Sequence, residues 1–223
     1  MQKNNTTQRQ IAALLLLLVN SPALSRTAAD QPLPPCLDVG SQQTIQSALL
    51  KTEPAPIELL ARLVHAEARS TGFAEDARVY QAIAWGVMNR VRLGDASSAM
   101  RRYYGSGLGG VIFRKGQFNP AVSVRSPFSR DFLCPRNAAH WQLAVDAAQI
   151  ALRGQDNPLI QTPWERAHGL SLVVNFYYPR SSQARGPFAP WENSGQLRFI
   201  GETLLPAERI RLYRLTTPPA ISR

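Results

Sequence analysis

The sequence predicts an α+β protein, mainly helical, with short β-hairpin segments toward its C-terminal end. Two observations carry this. Apolar residues recur at helical spacing across residues 56–69, 77–92 and 138–153. Later, "LSLVVNFYYP" and "GQLRFIGE" alternate aromatic or aliphatic residues with turn formers, the pattern of short strands.

Taken in order, residues 1–25 read as a signal peptide. Lys3 and Arg9 precede the apolar run 11–19, and Ala23 and Ser25 are small residues before a cut. The run is too short to span a bilayer, which needs roughly 20 apolar residues, so no stable membrane anchor is expected after cleavage. Residues 26–55 form a proline-rich N-terminal arm, with one short helix expected at 44–50. The main domain is expected over 56–205, and 206–223 as a C-terminal tail. Pro56 can open a helix that continues to about Arg69, and a second helix carries Tyr80, Ala84, Val87 and Val91 on one apolar face. Residues 94–135 read as loops, with the glycines of "GSGLGG" giving flexibility to a substrate loop. A third long helix follows Asn137 as N-cap and ends at Gly154.

A mature chain of about 200 residues suits one domain plus tails. Cys36 and Cys134 are an even pair in a chain expected to be exported, which favours a disulfide over two free thiols. The formal charge is +10, almost all of the cations are arginines, and removing the signal leaves about +8. Such a balance suits an anionic partner: nucleic acid, acidic lipid or the carboxylate-bearing cell-wall polymer. An exported location, periplasmic or secreted, argues against nucleic acid.

Most catalytic signatures are absent. There is no phosphate-binding GxxxxGK[ST], no GxSxG, and none of His65, His140 and His168 sits at metal-ligand spacing. His65 and His140 read as surface or cap residues. One residue stands out. Glu67 lies on the apolar stripe of its helix with Leu60, Leu63 and Val64, whereas Glu58, Arg62, His65 and Arg69 follow the spacing of a solvated face. A carboxyl facing apolar neighbours has a raised pKa and can serve as a general acid. It can equally be half of a buried ion pair, with Arg90 as partner. Periodicity does not separate the two.

The segments "LLARLVHAEARS" and "QAIAWGVMNRVR", then "GQFNP", "AVDAAQIALRG", "VVNFYYP" and "PFAPW", occur in the order and spacing of the SleB-type cell-wall hydrolases, and residues 57–202 resemble that family. The resemblance implies a lysozyme-like domain and, position by position, Glu67 as catalytic residue. It implies cleavage of MurNAc–GlcNAc bonds in the glycan strands of peptidoglycan, most often as a lytic transglycosylase, with no cofactor and no metal. Gln117 and Phe118 are expected to line the cleft, the amide bonding an acetamido group and the ring facing a sugar. Tyr177 and Tyr178 are also expected at the substrate site, pointing opposite ways along a strand, so that one of them is a candidate to reach Glu67 with its hydroxyl. Asn89 and Arg90 are expected to hold the second helix against the first. The chain departs from the family where Ser70 and Thr71 follow Arg69 in place of Gly-Glu; Glu75 or Asp76 is then the available accessory carboxylate. A hydrolytic muramidase is the neighbouring alternative and needs a second acid, with Asp76, Asp131 and Glu192 as candidates. A non-catalytic basic protein that binds or assembles the wall is the alternative from another class.

Overall fold

The computed structural model describes residues 32–41, 43–202 and 204–221. The expected signal peptide lies outside the described residues. The elements run α1 (Ile45–Leu50), α2 (Pro56–Thr71), α3 (Ala77–Ala96), α4 (Ser98–Tyr104), α5 (Gly107–Ile112), α6 (Asn119–Val122), α7 (Ser129–Leu133), α8 (Ala138–Arg153), α9 (Pro163–His168), β1 (Val173–Tyr177), β2 (Leu197–Phe199) and β3 (Arg211–Leu215). The protein is therefore mainly helical with a small antiparallel sheet of order β1-β3-β2. Among the described residues, no helix is long and apolar enough to cross a membrane.

The three long helices pack on one another and form the core. Their ends follow the local chemistry. Pro56 starts α2 and Gly72, at φ 80, ends it in the left-handed region. The Asn137 side chain accepts from the His140 amide to cap α8. Tyr80, Ala84, Val87 and Val91 are buried, as the spacing predicts.

Three features differ from the sequence reading. First, α2 has no fully solvated face. Arg62 is 0% exposed and His65 1%, because the arm, α7 and α8 cover the polar stripe. The Arg62 guanidinium donates to the carbonyls of Pro35, Phe132 and Leu133, and pairs with Glu58. Those carbonyls flank the Cys36–Cys134 disulfide, so Arg62 and the disulfide hold the arm to α2 together. His140 is buried too and pairs with Glu75.

Second, the glycine-rich segment folds into the α4–α5 corner. The Gly105 position, at φ 107, lets its backbone approach that of Gly110 so closely that a Cβ would lie 2.2 Å from the Gly110 carbonyl oxygen. Gly105 thus serves backbone packing, whereas a Cβ at Gly107 or Gly109 would meet open space. Third, the expected tail contains the central strand: β3 pairs with both β1 and β2, so the folded body extends past residue 205.

Candidate active site

Glu67 sits near the C-terminal end of α2, beside residues that the loop before α6 and the end of β1 bring to it. Burial of the stripe Leu60, Leu63 and Val64 in the core carries the carboxyl inward, leaving Glu67 7% exposed at the floor of an open cleft of about 220 Å³. The Tyr178 hydroxyl donates to Glu67 Oε2 at 2.9 Å. Burial raises the Glu67 pKa to about 7, while the Tyr178 hydrogen bond and the positive charge of Arg90 oppose that rise. Burial and the neighbouring carboxyl hold the Tyr178 phenol well above its ordinary value, so it remains a donor.

Arg90 is the keystone beside this pair. Its Nε donates to the Val174 carbonyl at 2.6 Å and its guanidinium donates to Gln117 Oε1 at 2.7 Å. The guanidinium also lies over Phe118 and Phe176, at 4.7 and 5.2 Å. Val174 falls at the irregularity in the β1–β3 ladder, where its carbonyl turns to α3. Asn89 makes the adjacent contact, donating to Val173. Asn89 and Arg90 thus tie α3 to β1, not to α2 as the sequence suggested. The ion-pair alternative for Glu67 fails geometrically: the hydrogen bonds of Arg90 go to a carbonyl and an amide, and its influence on Glu67 is through space.

A second buried glutamate provides the contrast. Glu165 is fully buried on α9, yet its pKa is lowered: burial pushes it up, but the amides of Thr162, Gln161 and Leu172 and the Arg214 guanidinium outweigh that. Those donors approach at 2.7–3.1 Å. Glu165 is an ionised structural staple. Glu67 has burial without the shell of donors, the condition under which a carboxyl stays protonated near neutrality.

Of the expected site residues, Glu67, Gln117, Tyr177 and Tyr178 line the cleft. Because the Gln117 oxygen is engaged by Arg90, its amide NH2 is the end free to donate. The Tyr177 hydroxyl is held by the Gly186 carbonyl and the Arg185 amide and does not reach Glu67. Phe118 is a correction. It is 1% exposed, packed against Phe176 and Arg90 in the core, and offers no face to a sugar. The accessory acids are another correction. Glu75 pairs with His140, and Asp76 caps α3 while pairing with Arg78 and Arg209. Asp131 lies beside Arg69, and Glu192 is bound by Arg211 and Tyr213. Among the described residues lining the cleft, Glu67 is the only carboxylate.

The sequence reading missed Ser70, Phe128 and Gln183 as lining residues. Ser70 was visible only as a departure from the family pattern; nothing local marks the other two. It also missed Gly86, where a Cβ would lie 2.8 Å from the Phe176 ring, so that only glycine lets this ring seat against α3. Phe176 in turn stacks on Tyr178, with centroids 5.6 Å apart. Comparisons with protein-family models, with curated proteins and with solved structures gave no match.

Proposed function

We propose that this protein cleaves the MurNAc–GlcNAc glycosidic bonds of peptidoglycan as a lytic transglycosylase, on a lysozyme-like domain of the SleB type. The observation that carries the reading is the buried Glu67 carboxyl at the cleft floor, with a pKa raised to about 7 and a phenol hydrogen bond at 2.9 Å. A pKa near the working pH suits a group that must give a proton and then take one. The resemblance of residues 57–202 to the SleB-type hydrolases supports the substrate, as does a basic chain facing an anionic polymer. The disulfide is in keeping with an exported protein.

Protonated Glu67 donates to the bridging oxygen, and Tyr178 stabilises the carboxylate left behind. That carboxylate takes the proton of the muramyl 6-hydroxyl as its oxygen attacks C1 and closes the 1,6-anhydro ring. The Gln117 amide holds an acetamido carbonyl. A hydrolytic route of the inverting kind needs a second carboxylate about 6.5–9.5 Å from the first to activate water. The lining described above favours the intramolecular attack, because it offers Glu67 alone.

Release of soluble fragments from dye-labelled sacculi tests the reading. Wild type releases dye and Glu67→Gln, which keeps the shape and loses the proton, does not. Equal release by both removes Glu67 from the chemistry. No release by wild type, where a lysozyme control is active, favours the wall-binding alternative.

A further inference from the structure

A second chamber adjoins the cleft at Glu67. Gly116 and Asn119 line both, and the second has a larger volume, about 590 Å³. The N-terminal arm forms one of its walls: Thr44 and Gln46, at the cap and first turn of α1, line it together with Phe113, Lys115 and Val122. The chemistry of this chamber is distinct. Phe113 is half-buried and engaged edge-on with Phe132, which leaves an apolar patch rather than an open ring face. Lys115 is exposed and has no acidic partner among the described residues. Among the described lining residues of both chambers, Glu67 is the only acid. An unpaired ammonium beside apolar carbon, a hydroxyl and an amide suits an extended acidic peptide. Its carboxylate meets Lys115, small side chains meet Phe113 and Val122, and backbone groups meet the side-chain amides of Gln46 and Asn119.

We infer that the second chamber binds the acidic peptide attached to the sugar held at Glu67, which makes the arm part of the substrate site as well as a brace. The inference rests on the glycan-cleaving reading, in which each muramyl lactyl group carries a short peptide with free carboxylates. It adds that the protein distinguishes peptide-bearing strands from bare ones.

The test compares kcat/KM on strands bearing their peptides with kcat/KM on strands stripped by an amidase. Binding of the free tetrapeptide to the full chain carrying Glu67→Gln is measured in parallel. Wild type should prefer peptide-bearing strands. Lys115→Glu should lower the preference ratio about ten-fold, the scale of an exposed ion pair lost and then reversed, with the effect fading at high salt. Gln46→Trp, an exposed position on the arm, should lower it by narrowing the chamber, with thermal melting confirming the fold. A ratio of one for wild type, or a ratio that neither variant moves while stripped strands are still cut, overturns the inference and leaves the glycan-cleaving reading standing. If wild type cuts neither substrate yet the Glu67→Gln chain binds the tetrapeptide in a Lys115-dependent way, the peptide site stands and the cleaving reading falls. Neither cleavage nor binding overturns both.

Discussion

Replacing Tyr178 with phenylalanine removes one oxygen and leaves the ring stacked on Phe176. The lost contact is the 2.9 Å hydrogen bond that stabilises ionised Glu67. A hydrogen bond to a charged group contributes about 1.5–3 kcal/mol, and one pKa unit corresponds to about 1.4 kcal/mol. Burial is unchanged, so the Glu67 pKa should move up from about 7 by about 1–2 units. The general acid must be protonated, so wild-type activity should fall by half near pH 7. In Tyr178→Phe that midpoint should shift upward by about 1–2 pH units, whatever happens to the height of the profile. The assay is dye release from sacculi across pH, with carbon-13 NMR of the Glu67 carboxyl as the direct readout. A midpoint that stays in place, or moves down, refutes the assignment of this limb to a Tyr178-bonded Glu67.

Three other outcomes follow from the same contacts. Glu67 has a folded pKa of about 7 against an ordinary 4.5, so its stabilisation is fully present below pH 4.5 and lost as pH rises through about 7; Glu67→Gln should therefore be more stable than wild type above pH 7 by about 3 kcal/mol, with the gap closing below pH 4.5 in urea titrations. Gly86→Ala gains helix propensity of about 1 kcal/mol but drives a Cβ to 2.8 Å from the Phe176 ring; displacing the ring that stacks on Tyr178 should reduce kcat at least ~10-fold, with little change in Tm. Phe118→Ala should cost about 3–5 kcal/mol in stability, read by thermal melting; a sugar-stacking Phe118 would instead raise KM and leave Tm alone.

Much of the helical frame was legible because the relevant signals are local. Pro56, Asn137 and Gly154 mark ends through single-residue chemistry, and the apolar face of α3 is a periodic pattern. What failed was non-local. The Arg62–His65 stripe has the spacing of a solvated face, and it is the arm, α7 and α8 packed over it that make it interior. Strand β3 carries Arg211 and Arg214, which read as tail until Glu192 and Glu165 are placed against them. Glu67 was visible as an anomaly on an apolar stripe, but its meaning depended on Tyr178, 111 residues away. Phe118 shows the converse: adjacency to Gln117 suggested a shared cleft, while the chain turn sends one side chain to the cleft and the other into the core. The short helices α4 to α7 escaped because runs of four to seven residues carry too little periodicity to read, and α5 and α6 also contain glycine or proline.

In the proposed reaction, the lone buried carboxyl of Glu67 cleaves glycan strands by intramolecular attack of the muramyl 6-hydroxyl. Mass spectrometry of the fragments that the purified protein releases from sacculi distinguishes this reaction from hydrolysis. Wild type should give 1,6-anhydro-muramyl ends, and Glu67→Gln should release no fragments. Reducing ends, or fragments released equally by Glu67→Gln, would contradict it.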